Sequence, residues 1–440
     1  MPDTDSPAPA TPSRFARWAK TMLSALLLAW LSLSFWHSAK PLPAGTHIVS
    51  QVSRLSESDV DFLYESPQHQ DLALREMAAI DHAEHLIVID RSPVPRELAE
   101  HLLARRHARP HVKIVLVTDP GNEVFGGTSS RILASLEQAG IIVARVRLDR
   151  LRDSNPLYSG LWRLLFGWWS DPFDETPGQA SLRAWSRMQN FKADQRQLLV
   201  ADDGSGGWNA ILESAGAPAG LILRGSLARA MIAGELQIAG WSTDDDRLPA
   251  DPPMDARGVG SIDARFLTEG AIEAALLDAI AAAGSGDQIS IAVQNLSDRR
   301  LIAAALEAAA RGVRLHVLLA WNPMPNRAVA GELLRGGGGR IEVRWYPLDP
   351  PLPKLLLVRH RSDLWMNLGS ANFTRRNLGD LNLESGVELR MPAQAAPARA
   401  ATEYFARLWS GADGSTELAD HSPMAYWRYR FAEATGLSSF

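Results

Sequence analysis

The same run of elements is written twice in this chain. His85-Leu-Ile-Val-Ile-Asp90 reads as a buried strand, Pro95 to Arg106 as a helix, and His111 to Asp119 as a second strand. Gln288 to Val293, Arg299 to Arg311 and Val313 to Leu319 follow in the same order. Short apolar runs bounded by turn signals and alternating with helical periodicity predict α/β layers whose strands are covered on both faces.

A second pair of segments matches further on. Gln197-Leu-Leu-Val-Ala-Asp202 leads to Trp208 and then Glu213-Ser214-Ala215-Gly216, while Lys354-Leu-Leu-Leu-Val358 leads to Trp365 and then Gly369-Ser370-Ala371-Asn372. Gln195 to Ser214 is nineteen residues, and Leu352 to Ser370 is eighteen. The expectation is an α/β protein of two diverged copies of one domain, with mixed sheets flanked by helices and related by a pseudo-twofold. The domains are placed at 45–240 and 259–412, joined by a polar linker at 241–258 and followed by an extension at 413–440.

The halves differ by an insertion at 150–190 that carries Asn155-Pro-Leu-Tyr158, Leu161 to Trp169 and Trp185. These aromatics either plug the interface between the domains or form an amphipathic flap on a bilayer, since Trp favours the headgroup region. The three consecutive aspartates at 244–246 read as part of the solvated linker, because no histidine or further carboxylate cluster accompanies them.

Ahead of the repeats, Arg14, Arg17 and Lys20 precede a stretch from Thr21 to Ala39 without Lys, Arg, Asp or Glu. As a helix it spans about 28 Å, close to a bilayer's hydrocarbon core of ~30 Å. A single-pass anchor at 21–39 is predicted, with 1–20 a cytoplasmic tail; the basic residues before it favour an N-inside orientation, which in a bacterium places the body in the periplasm, held at the inner membrane. The alternative is a cleaved signal peptide, Met22 to Leu33 having h-region length, although cleavage after Ala39 would set His37 at the −3 position.

Composition excludes some chemistry. The net charge of −5 supplies no overall basic field, so nucleic acid is not an expected partner. With no cysteine, thiol catalysis, disulfides and thiolate metal sites are ruled out. No metal or other cofactor is called for by the motifs.

Residues 367–384, Asn-Leu-Gly-Ser-Ala-Asn-Phe-Thr-Arg-Arg-Asn-Leu-Gly-Asp-Leu-Asn-Leu-Glu, resemble one half of a phospholipase D-type active site. Asn190-Phe-Lys-Ala193, Leu296-Ser-Asp-Arg299 and Pro325-Asn-Arg-Ala328 also resemble segments of bacterial phospholipase D-like and cardiolipin synthase-like proteins, so that the likeness covers residues 45–412. The resemblance implies two phospholipase D-like domains, each contributing His-x-Lys, four residues, Asp and then Gly-Ser-x-Asn. It also implies a histidine nucleophile forming a phosphohistidine, a second histidine protonating the leaving alcohol, and lysines and asparagines holding the phosphoryl oxygens. The acceptor is water or a second alcohol.

This chain departs from that pattern. The first slot reads Gln195-x-Gln197, four residues, Asp202, and Gly216 replaces the following asparagine; the second reads Leu352-x-Lys354, four residues, Arg359. A nucleophile must be neutral to attack and its partner protonated to donate, which imidazole manages near neutral pH and an amide or alkyl side chain cannot. His360 falls too far along an extended strand from Lys354 to substitute, and His316 reads as a core or edge histidine. Lys354, Ser370, Asn372 and Glu384 remain as a partial phosphate cradle; the bland reading is that Gly369 and Ser370 form a tight turn while Lys354 pairs with Glu384.

The function expected from these residues is a membrane-anchored, catalytically inactive phospholipase D-like protein. Its expected partners are the phospholipid membrane, a phospholipid headgroup or other phosphodiester, and an active relative. The alternatives are an active phospholipid hydrolase or transphosphatidylase, and a membrane-surface interaction protein that works through the Trp-rich insertion.

Overall fold

Val, Ile and Leu crowd the strand segments on both parities, so each strand must be covered on two faces. A computed structural model describes residues 14–64, 71–124, 129–168, 183, 186, 190, 192–214, 216–250, 259–321, 324–414 and 416–435. The strands are β1 (Ser53–Leu55), β2 (Val60–Tyr64), β3 (Leu86–Asp90), β4 (Lys113–Thr118), β5 (Ile142–Arg145), β6 (Leu198–Asp202), β7 (Trp208–Glu213), β8 (Ala219–Arg224), β9 (Ile262–Thr268), β10 (Gln288–Val293), β11 (Arg314–Ala320), β12 (Ile341–Tyr346), β13 (Lys354–Arg359), β14 (Asp363–Gly369) and β15 (Ser385–Pro392). They form a seven-stranded sheet ordered β2-β8-β7-β6-β3-β4-β5 and an eight-stranded sheet ordered β1-β9-β15-β14-β13-β10-β11-β12.

Leaving out β1, the two orders are the same list twice, and the senses agree strand by strand. In each repeat the central strand runs parallel to the two that follow and antiparallel to the hairpin strand beside it. The helices Arg96–Ala108 and Arg299–Ala310 fill equivalent crossovers. The repeat legible in the sequence is therefore a repeat of topology. β1 is the exception: its segment precedes the first repeat, yet it pairs antiparallel with β9 of the second sheet.

One core joins the two sheets. Leu198, Val200 and Leu221 of the first share a single buried cluster with Leu355, Leu357, Met366 and Leu389 of the second, together with Leu227, Met231 and Ile232 of the buried helix Ser226–Ser242. The alternate residues face outward onto helices, as with Ile87, Ile89 and Leu199 in one repeat and Ile289, Ile291, Leu356 and Val358 in the other.

The register corrects one expectation. Trp208 stands opposite Asp202, whereas Trp365 stands opposite Val358, one position further along. The nineteen-to-eighteen residue difference lies in the hairpin turn, so the two tryptophans are not equivalent, although Ser214 and Ser370 are. Trp208 packs on the core between the sheets; Trp365 belongs to the outer cluster.

The helix Arg14–Ser38 is long and apolar enough to cross a membrane. The insertion contributes the helix Pro156–Phe166, which packs on that helix and not between the sheets, overturning the interface-plug expectation for its described part. Trp169 and Trp185 lie outside the described residues. In the linker, Asp244 pairs with Arg147 at 3.0 Å and Asp245 with Arg247.

Candidate functional site

The strand ends that carry the two slots meet where the repeats face each other. The Gln195 backbone N–H donates to the Leu383 carbonyl at 2.9 Å, and the Leu383 N–H to the Ala193 carbonyl at 3.0 Å. In return, the Lys354 backbone N–H donates to Ser214 Oγ of the first repeat at 2.7 Å. Each half-site is thus clamped by its partner.

At the position the resemblance assigns to the first histidine, Gln195 Oε1 accepts from Asn377 Nδ2 at 3.2 Å. Asn377 Nδ2 also donates to Glu384 Oε1. Gln197 sits deeper, its Oε1 accepting from Arg91 Nη1 at 3.2 Å and its Nε2 donating 2.5 Å to the Ser92 carbonyl. At the second histidine position Leu352 is fully buried in the core between the sheets, its backbone N–H donating to Gln294 Oε1 at 3.1 Å.

In the second repeat Lys354, Ser370 and Glu384 are buried and Asn372 is half-buried. Ser370 Oγ donates to Glu384 Oε2 and accepts from the Ser385 N–H at 3.0 Å. Asn372 Oδ1 accepts from the Asn295 N–H at 3.2 Å. Burial raises Glu384 to about 7, resisted by its hydrogen bonds from Ser370 and Asn377. Burial lowers Lys354 to about 8, against the pull of the Glu384 charge.

Asp202 and Arg359 occupy equivalent positions at the far ends of β6 and β13. Asp202 accepts backbone N–H bonds from Glu84, His85, Leu86 and Gly204 at 2.7–3.0 Å. Burial opposes its ionisation, but those donors outweigh it and hold the carboxyl below its usual range. In the second repeat the charges trade places: Arg359 stands across from Gln288, and His360 Nδ1 meets Asp287 Oδ2 at 2.9 Å where the first repeat has His85 beside Asp202. These positions tie strand ends together and stand apart from the slots. His316 stacks on Trp409 with ring centroids 4.6 Å apart.

A cleft of about 620 Å³ opens over the first slot, lined by Gln195 and Gln197 together with Arg91, Asp119, Lys192, Asp194, Glu213, Gly216 and Arg376. Arg376 comes from the second repeat, so the cleft straddles the boundary. No histidine is among its described lining residues. Arg91 is held by Glu76 and Glu213, and Lys192 Nζ reaches Asp153 Oδ1 at 2.6 Å. Burial raises Asp119 to about 6, partly offset by N–H bonds from Asp194 and Gly121. Burial lowers Lys192 to about 8 and Arg376 to about 10. Sequence reasoning missed Arg91, Lys192 and Arg376 as cleft residues, since they are scattered singly along the chain; Lys192 lies in the Asn190-Phe-Lys-Ala193 segment and Arg376 in the 367–384 motif stretch, whereas Arg91 carried no signal.

Behind Asp194 lies a buried acidic set. Arg196 is fully buried between Glu235 at 2.8 Å and Glu269 at 2.6 Å, and burial drives Asp90 and Asp194 well above the usual carboxylate range. Among the described residues no group of His, Asp and Glu is arranged to hold a metal ion.

Paired α/β repeats whose motif strands meet end to end across a shared cleft define a phospholipase D-like architecture. Residues 276–409 match the family described as "Cardiolipin synthase, PLD-like domain". The fold is similar to that of phosphatidylserine synthase from Haemophilus influenzae, with a TM-score of 0.56 and 11% identity over 94% of this chain and 99% of that one. Polyphosphate kinase from Porphyromonas gingivalis matches at a TM-score of 0.47 and 13% identity, over 90% of this chain and 57% of the other. Nuc, a phospholipase D family member from Salmonella typhimurium, matches at 0.27 and 17% identity, over 34% of this chain and 98% of its own. No curated protein matches the sequence.

Proposed function

We propose that this protein is a membrane-anchored, catalytically inactive member of the superfamily that holds the anionic headgroup of a phospholipid, or another phosphodiester, in the cleft over Gln195 without cutting it. The observation that carries the reading is the pair of replaced histidine positions: Gln195 is hydrogen-bonded to Asn377, and Leu352 is buried in the core. Neither side chain can form a phosphoryl intermediate or pass a proton to a leaving alcohol. Removing a single nucleophile from a well-studied hydrolase costs on the order of a million-fold in turnover, and here the proton donor is absent as well. Support for anion binding comes from Arg91, Lys192 and Arg376, which line the cleft beside Gln195 and Gln197.

The body resides on the outer face of the inner membrane, in the periplasm, held by the Arg14–Ser38 helix, as the basic residues ahead of that helix favour. An active relative is the partner to which a lipid-sensing subunit of this kind would report. The test is incubation of the purified full chain with phosphatidylglycerol vesicles. Binding without hydrolysis or headgroup exchange above a Lys354→Ala control supports the proposal, and turnover well above that control overturns it.

A further inference from the structure

The insertion helix Pro156–Phe166 is fastened to the membrane helix by contacts that leave it no separate position. Gly160 lies against the backbone of that helix, where an added Cβ would fall 2.1 Å from Ser34 Oγ and 2.9 Å from the Trp30 carbonyl. Trp30 Nε1 donates to the Leu157 carbonyl at 2.7 Å, and the Asp153 N–H to the His37 carbonyl at 3.2 Å. Small residues that let two helix backbones touch are how helices associate inside a bilayer. Whatever depth Trp30 to Ser38 occupy, the insertion helix shares.

Among the described residues, one stripe of the helix is left open to its surroundings. Leu157, Leu161 and Leu165, spaced four apart on one stripe, are 45%, 42% and 50% exposed, and Trp168 just beyond is 79% exposed. The charged residue of the helix, Arg163, is turned onto the carboxylate of Asp153. Asp153 also accepts from Asn190 at 2.9 Å and meets the cleft residue Lys192, while Arg375, next to the cleft residue Arg376, donates to the Ser154 carbonyl at 2.9 Å. Asp153 therefore joins three parts of the protein, its carboxylate holding the insertion helix and a wall of the cleft and its backbone N–H holding the end of the membrane helix.

We infer that the insertion helix is a second membrane-contacting element, bedded in the body-side leaflet beside the anchor with its Leu157, Leu161, Leu165 and Trp168 face against lipid, and that it fixes the cleft mouth at headgroup level. The occupant of the apolar face is the bilayer itself, because the helix packs on the anchor, whose own apolar residues Leu31, Phe35 and Trp36 are 44%, 75% and 73% exposed. A lipid of that leaflet reaches the cleft without leaving the membrane. The inference rests on the membrane-anchored part of the proposal above and not on whether the cleft turns its ligand over.

The absence of cysteine makes the test clean, because any introduced thiol is unique. The full chain, reconstituted in phosphatidylglycerol vesicles, carries one fluorophore in turn at Leu157→Cys, Leu161→Cys, Leu165→Cys, the anchor site Leu31→Cys, the exposed body site Glu307→Cys and the cleft-lining site Asn122→Cys. The three insertion-helix labels are expected to resemble Leu31→Cys, shielded several-fold from aqueous iodide relative to Glu307→Cys and quenched by nitroxides on the acyl chains. The Asn122→Cys label is expected to respond to a nitroxide on the headgroup. Insertion-helix labels as open to iodide as Glu307→Cys, with Leu31→Cys still shielded, overturn the membrane contact, and no response at Asn122→Cys overturns the cleft placement. Removal of the Leu31→Cys segment from the mature protein would overturn this inference and the anchored reading together. Turnover of phosphatidylglycerol by a preparation with shielded labels would contradict the inactive reading alone and leave the membrane contact supported.

Discussion

Asn377 of the second repeat donates to Gln195 of the first across 3.2 Å, at the position where the superfamily resemblance calls for a histidine. Its amide also holds Glu384, which holds Ser370. Gln195 is therefore part of a hydrogen-bonded chain that joins the two halves.

The reciprocal clamp is the Lys354 N–H to Ser214 Oγ bond at 2.7 Å, with both groups buried. Ser214→Ala leaves that N–H without an acceptor in a dry interface. A buried donor stripped of its partner costs about 1–3 kcal/mol, which urea unfolding of the full chain should register as a lower midpoint at unchanged slope. An unchanged midpoint would mean that the inter-repeat bond contributes nothing.

Glu384 raises the pKa of Lys354, while burial lowers it to about 8. Glu384→Gln removes the charge that favours the ammonium form, so the Lys354 pKa should fall further below 8. The pH dependence of reductive methylation at Lys354, followed by mass spectrometry, reads this directly, and an upward shift would contradict the assigned coupling.

Anion binding in the cleft should weaken in two steps as pH rises. Asp119, raised to about 6, is neutral below that pH and adds a negative charge to the cleft above it. Lys192, lowered to about 8, loses its positive charge above that value. Asp194, Glu213, Arg91 and Arg376 line the same cleft. Titration of glycerophosphoglycerol binding by calorimetry should show both steps, with Asp119→Asn abolishing the first. Affinity that rises between pH 6 and 8 would contradict the placement.

The Asp153 bolt is acid-sensitive. Burial alone would raise its carboxyl, but Arg163 and Lys192 hold it at about 2, below its ordinary value of 3.8. A depressed carboxylate contributes stability above its unfolded pKa and loses it as pH falls through the folded value, here from about 4 towards 2, on the order of 2 kcal/mol in total. Limited proteolysis near Arg183 should accelerate across that window in the native chain and be fast throughout in Asp153→Asn. Equal resistance of both proteins at pH 7 would argue against the bolt.

Much of the architecture was legible because β3, β4, β10 and β11 are covered on both faces and therefore read as apolar runs. The pairing of β1 with the second sheet was not, since three residues carry no periodic signal and the partner lies far along the chain. The matched tryptophans misled, because one extra turn residue shifts Trp208 to the opposite face. The slots at Gln195, Gln197 and Leu352 are read from motif spacing and the family resemblance alone. The cleft cations Arg91, Lys192 and Arg376 come from separate elements and converge only after folding. The pairing logic at Asp202 and Arg359 needed the strand register, which shows that His85 and Asp287 exchange charge along with them.

The central claim is that the site binds without reacting. Release or exchange of headgroup from phosphatidylglycerol by the full chain, measured beside Lys354→Ala, tests it most directly. The account predicts rates for the two proteins that cannot be distinguished from background. A native rate well above the Lys354→Ala rate, with a covalent phosphoryl adduct seen in the intact mass, would contradict it.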